Sequence, residues 1–343
     1  MLKPFILFTS LTTATALSFY SQAQSNSIDT IRIGIAHGAY GNPPRTLFSP
    51  LSIAQKFNLI ENDVASDNLK IEWIYFKGAG PAVNEALSNN QIDFALQGDL
   101  PSIVGRAAGL KTSLLVGLST ANTYIIVRPD SSIQTIEDLK NKKMAFHKGT
   151  NMHVGINKIL ESFGMKESDI NFFNLDSSAS IAAFYSNDID GLAGSLNLLS
   201  LVKKGHARVI YSSQSDDSTT LKTNFLVRNA FKEEHPDITY KIVKSVVGAV
   251  AFVSDPDNEQ TIYEDWNYMT ITPEILHEDL AGVTLRQKFN PLYNEKTRHH
   301  LQHSIRIAKE AKLIRKPVEM ESWIDDSFLN KAIEELNLIN YWE

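Results

Sequence analysis

The 343-residue chain contains no cysteine. That removes disulfides, thiolate nucleophiles, iron–sulfur clusters and every zinc site built on sulfur. An excess of positive charge is missing too: 33 Lys and Arg stand against 39 Asp and Glu, a formal net charge of −6. Without surplus cations to neutralise a phosphate backbone, nucleic acid is not an expected partner. Beyond the first two dozen residues there is no run of uncharged apolar residues long enough to cross a bilayer. Catalytic signatures are equally scarce. Lys148-Gly149-Thr150 lacks the order of a phosphate-binding P-loop, and Gly194-Ser195 lacks the G-x-S-x-G elbow of a serine hydrolase. His299, His300 and His303 share one helical stretch, but no carboxylate is interleaved and Arg298 and Arg306 flank them. They read as a solvated helix face, so neither a metal nor a cofactor is expected.

What remains is an ordinary globular balance, 43% hydrophobic and 21% charged, in a chain long enough for two domains or one large one. Its start reads differently from the rest. Lys3 supplies one positive charge, Phe5 to Leu17 is apolar or small, and Ser21-Gln22-Ala23 places small residues at a cleavage point. This is the pattern of a secretory signal peptide occupying residues 1–23, with cleavage after about Ala23. The apolar stretch is too short and Thr-rich to be an anchor of about 20 residues.

From Ile28 onward, strand-like and helix-like segments alternate. Ile31 to Ile35, Leu69 to Phe76, Ile92 to Leu96, Ser113 to Leu118 and Tyr124 to Val127 read as strands, with helices between the first three. A second unit of the same kind starts near residue 122, with strands at Met144–Phe146, Ile170–Leu175, Ile189–Ala193 and Arg208–Tyr211. Ser212 to Lys222 reads as a polar connection, and the remainder as helices from Ile238 onward. This order points to α/β architecture with mostly parallel sheets. The late helices have no strands of their own and are expected to pack back on the first unit.

In open α/β sheets, ligands bind beyond the carboxyl ends of the strands. Here those ends carry His37-Gly38, Gly78-Ala79-Gly80, Gly98-Asp99-Leu100-Pro101 and Gly149-Thr150-Asn151. Glycine permits close backbone approach, and free amides at helix starts favour an anion. Any one of these turns alone reads better as a helix cap or turn; four on one edge point to a site.

The same stretches carry a resemblance. Gly80-Pro81-Ala82-Val83-Asn84-Glu85-Ala86-Leu87, Ile92 to Pro101 and Lys148-Gly149-Thr150-Asn151-Met152-His153 resemble the periplasmic substrate-binding proteins of ABC importers for aliphatic sulfonates and taurine, with nitrate- and thiamine-precursor-binding relatives. The likeness runs from about residue 31 to 230. It implies a two-lobed, type II-like periplasmic binding protein fold: two doubly wound sheets joined by a two-strand hinge. Lobe I would comprise residues 28–121 and 223–343, and lobe II residues 122–222. It further implies a monomer in the periplasm that binds a small sulfonate-type anion and delivers it to an ABC permease in the inner membrane. Carried over by position, His37, Tyr40, Ala79, Gly80, Asp99, Leu100, Thr120, Asn122, Thr150, Asn151 and His153 would line the cleft, with Asp99 expected to cap or pair rather than face a sulfonate.

After Asp190, relatives often carry an aromatic- and acid-bearing segment, where this chain has Gly191-Leu192-Ala193-Gly194-Ser195-Leu196-Asn197. Ser195 and Asn197 would offer neutral hydrogen bonds there, which favours an uncharged organic tail over the ammonium of taurine. Alternatives are a desulfinase-like or pyrimidine-synthase-like enzyme on the same fold, or a binding protein for another small oxyanion or heterocycle. Both enzyme families lean on cysteine, so a binder is the expectation. Mass spectrometry of the exported protein should find an N-terminus at about Gln24; an intact Met1 would refute the leader.

Overall fold

The computed structural model describes residues 28–343; the expected leader, with its cleavage point after Ala23, lies outside the described residues. Strand β1 (Thr30–Ile35) is rich in β-branched residues, and its Ile31, Ile33 and Ile35 are fully buried. It is followed by β2 (Lys70–Tyr75), β3 (Phe94–Gly98) and β4 (Thr112–Ala121). The chain then crosses to a second sheet made of β5 (Tyr124–Val127), β6 (Lys143–Phe146), β7 (Asn171–Asn174), β8 (Gly191–Gly194) and β9 (Arg208–Ser212), and returns as β10 (Leu221–Arg228).

The two sheets have the same plan: β2-β1-β3-β10-β4 in the first and β7-β6-β8-β5-β9 in the second. In each, the strand reached directly after a crossing occupies the fourth place and runs antiparallel to both neighbours. The expected parallel order therefore holds for four of five strands per sheet, and the returning strand makes each sheet mixed. The sequence reading places no strand between Lys222 and Ile238, yet β10 is there. Its signal is diluted because Lys222 and Asn224, on one face of the strand, point to polar partners and not to an apolar core.

The late helices do return to the first sheet. The helix Pro236–Ser254, apolar on most of its surface, packs on Pro50–Lys56, Leu59–Val64 and Ser327–Glu335 over one face. Ala79–Ser88, Asp99–Ala108 and Glu295–Glu310 cover the other. The second sheet has its own core around Met144, Phe146, Ile156 and Leu160.

The helix Asn151–Ser162 of the second unit lies against Asp99–Ala108 and Glu295–Glu310 of the first. Their contact is polar and buried. Asn224 Nδ2 donates to Asp99 Oδ1 at 2.8 Å, and the Tyr293 hydroxyl donates to Asn224 Oδ1 at 2.9 Å. Lys158 is 1% exposed, and its Nζ lies 3.1 Å from His300 Nε2, which is itself 3.3 Å from Asp99 Oδ2. Burial lowers the pKa of His300, against the pull of the Asp99 carboxylate beside it. Burial works against the Asp99 carboxylate, but His300 and Lys158 more than offset it and leave its pKa below the usual value.

Burial also brings the Lys158 pKa down to about 8, despite the pull of Asp99. Because the unfolded chain then binds the proton more tightly than the folded one, the cost of burying Lys158 is fully present below about pH 8 and is relieved as pH rises toward the ordinary lysine value. Denaturant unfolding of the wild type and Lys158→Met between pH 7 and 10 should show the wild type gaining stability relative to the variant above pH 8. A pH-independent difference would contradict this.

Candidate functional site

The chain passes between the two sheets at Ala121–Tyr124 and Ser212–Leu221, and Ala121 and Asn122 of the first passage line the cleft. The hinge is fixed by one buried carboxylate. Asp279 accepts from Asn122 Nδ2 at 3.2 Å, from the Tyr124 hydroxyl at 2.8 Å and from Lys288 Nζ at 2.7 Å. Burial and this carboxylate together push the Tyr124 phenol well above its ordinary range, so it stays a donor. Asp279 is thus neutralised before any ligand arrives.

Two hollows meet in the cleft. The first, about 50 Å³, is walled by Phe48, Trp266, Phe289, Leu276 and Leu280, with Ser119, Thr120, Asn122 and Ser195 as its polar side. The second, about 180 Å³, lies over the carboxyl ends of β6 and β8, with Phe146, Met152 and Leu192 as apolar lining and Ser177, Ser180 and Asn197 as polar lining. Ser195 lines both.

The aromatic wall is built from a row of rings. Tyr40 meets Phe48 at 5.8 Å, Phe48 meets Trp266 at 6.1 Å and Trp266 meets Phe289 at 5.7 Å, all tilted or edge-on as ring quadrupoles prefer. Trp266 is pinned by its Nε1 donating to Ser52 Oγ at 2.7 Å. The preceding Asp265 is held by Arg45 at 2.6 Å and Lys56 at 3.2 Å. Phe48 has φ +57°, a left-handed conformation that is costly for a bulky side chain. It stands just before Ser49, whose hydroxyl caps the helix Pro50–Lys56, so the kink both starts that helix and places the ring in the cleft.

Of the residues expected from sequence, Thr120, Asn122, Ser195 and Asn197 line the hollows. Tyr40 belongs to the ring row. The others do not line either hollow and form the surrounding frame. His37 donates from Nδ1 to the Gly38 carbonyl at 2.8 Å and accepts the Thr46 hydroxyl at Nε2 at 2.9 Å; burial lowers its pKa and keeps it neutral. Ala79 starts its helix at φ +54°, and a side chain at Gly80 would come within 2.2 Å of Pro101. Asp99 is engaged in the buried network, and Leu100 is fully buried. His153 is buried between the Gly149 amide at 3.3 Å and Glu167 Oε2 at 2.6 Å, bracing the turn from below.

The Thr150 hydroxyl donates to the His147 carbonyl at 2.7 Å, the nearest strong acceptor in its own turn, so its proton does not face the cleft. The backbone there is more available: among the described residues, the amides of Thr150, Asn151 and Met152 have no acceptor. Asn151 spans the lobes. Its Nδ2 donates to the Lys222 carbonyl at 2.8 Å and its Oδ1 receives the Leu100 amide at 3.4 Å. Only glycine at 98 leaves room for this, since a Cβ there would lie 2.5 Å from the Asn151 side chain.

Sequence reasoning missed Phe48, Trp266, Leu276, Leu280 and Phe289. Trp266 and Phe289 are indeed almost fully buried; only their position at the mouth of the crossing gives them a cleft-facing edge.

Residues 66–259 match the family described as NMT1/THI5 like. A relative from Bacillus subtilis (strain 168), which carries the name aliphatic sulfonates-binding protein, is 28% identical over 310 residues, covering 89% of this chain and 88% of the relative. The crystal structure of a periplasmic sulfonate-binding protein, SsuA, from Methylobacillus flagellatus KT superposes with a TM-score of 0.79 at 25% identity, covering 91% of this chain and 96% of the other. The alkanesulfonate-binding protein SsuA from Xanthomonas axonopodis pv. citri, bound to MOPS, matches in fold with a TM-score of 0.70 at 20% identity, over 87% of this chain and 99% of that one.

Asn151→Ala should remove both cross-lobe hydrogen bonds, worth together about 1–3 kcal/mol. Small-angle scattering of the variant should show a larger radius of gyration than the wild type. An unchanged scattering curve would mean that Asn151 does not hold the lobes together.

Proposed function

The chain belongs to the NMT1/THI5-like family, and from that premise we propose that it is the periplasmic solute-binding component of an ABC importer. Its ligand is a sulfonate or sulfate ester with an uncharged organic tail. The observation that carries this reading is the pairing of an aromatic and aliphatic hollow with neutral donors, in a cleft whose lining acid is already satisfied. A sulfonate needs hydrogen-bond donors without a counter-carboxylate, and the Thr150–Met152 amides with Ser195 and Asn197 are of that kind. A taurine-like ammonium would need a spare carboxylate. Among the described residues, Asp279 is the only acid lining the two hollows, and Lys288, Asn122 and Tyr124 occupy it.

Binding proceeds by hinge closure. A ligand that touches Thr120 and Phe48 of the first unit and Ser195 and Asn197 of the second interacts with both only when the lobes are together, and its differential affinity favours the closed state. The role is capture and delivery to a permease, without chemistry on the ligand. This agrees with a chain free of cysteine and with relatives named as binding proteins.

Calorimetry with a short alkanesulfonate, benzenesulfonate and taurine tests both levels. An uncharged tail should bind at least about tenfold tighter than taurine, a difference of roughly 1.4 kcal/mol. Taurine binding tightest would overturn the tail assignment, and no heat with any sulfonate or sulfate ester would overturn the ligand class.

A further inference from the structure

A larger cavity, about 320 Å³, opens beside the hinge. Both crossings contribute to its wall: Thr120 and Asn122 from the first, Thr220 and Lys222 from the second. The rest comes from Ser213 to Asp217 of the second unit and, in the first, from Gly282–Lys288, Asn290–Thr297 and Trp342. It is thus lined from both units and from both segments that join them, and neither Phe48 nor Trp266 reaches it.

Its charges do not balance. Lys288 is paired with Asp279 at 2.7 Å and Lys296 with Asp217 at 3.1 Å. Lys222 has no such partner. Its Nζ donates to Thr120 Oγ1 at 3.0 Å, and among the described residues no carboxylate lies within ion-pairing distance. An ammonium has three protons to give, and one hydroxyl takes only one of them. Burial lowers the Lys222 pKa, with the more distant Asp217 and Asp99 opposing the shift and Lys296 adding to it. This half-buried cation with a single neutral acceptor keeps protons that an anion in the cavity could accept.

We propose that this cavity is a second anion site, adjoining the organic-ligand cleft and sharing Thr120, Asn122 and Lys288 with it. It takes a small inorganic oxyanion of the phosphate or sulfate class, with Lys222 as its principal cation and Lys296 and Thr297 at its rim. Because strands from both crossings meet around the anion, its occupancy ties the two hinge segments together and couples to lobe position. The proposal rests on the cavity and the charge count and not on which organic ligand the cleft accepts.

The test is a phosphate titration of the full chain, with chloride adjusted to hold ionic strength constant and melting temperature as the readout. The wild type should show a saturable rise of a few degrees, Lys222→Met should show none, and Lys222→Arg should retain it. Phosphate bound only in the organic-ligand cleft would raise both wild type and Lys222→Met equally, which would overturn the assignment. So would the absence of any saturable rise in the wild type. If Lys222→Met does not fold, Thr297→Val and Lys296→Met replace it: a right-shifted phosphate midpoint in either supports the site, and an unchanged midpoint in both overturns it.

Discussion

The chain crosses between its two sheets twice, and each time the arriving strand is inserted between strands already belonging to the destination. β5 lies between β8 and β9, and β10 between β3 and β4, hydrogen-bonded on both sides. A strand paired along both edges cannot peel away without breaking two ladders, so each crossing is anchored at its far end. Relative motion is confined to the few residues between the ladders. The cleft and the polar contact between the helices Asn151–Ser162 and Asp99–Ala108 both follow from that confinement.

The site inside this frame is electrostatically quiet by construction. Asp279 faces Lys288, Asp99 faces Lys158 through His300, and Asp265 faces Arg45 and Lys56. Leaving any of these carboxylates buried and unpaired would cost several kcal/mol. Pairing them also removes them as competitors for a ligand's charge. What the cleft then presents is neutral: backbone amides, hydroxyls, a carboxamide and aromatic edges. The ligand's anionic head meets donors, and its tail meets rings.

Much of this was legible in the sequence where the information is local. Strand, glycine turn and helix start follow one another within a dozen residues, so the turns at Gly80, Gly98 and Gly149 could be read directly. The neutral segment around Ser195 was legible for the same reason. The aromatic wall was not, because Phe48, Trp266 and Phe289 come from distant parts of the chain and each alone looks like core. Thr150 and Asn151 show a finer limit. Sequence places them at a helix start, but only the acceptors around them decide that the hydroxyl turns to His147 and the carboxamide reaches across the lobes. β10 escaped because half of its side chains serve a polar network, which erases the alternation that marks a strand.

The inserted strands also impose an order on folding. Strands β5 to β9 form one uninterrupted stretch and complete their sheet with nothing borrowed from elsewhere. The first sheet cannot do so: β3 and β4 have no direct pairing and are joined only through β10, which is made after the whole second unit. A chain emerging from its N-terminus therefore carries an open slot between two strand edges until Leu221–Arg228 arrives. The unit that starts first is the one that finishes last, and until then its exposed edges are the part of the molecule most in need of protection from other chains.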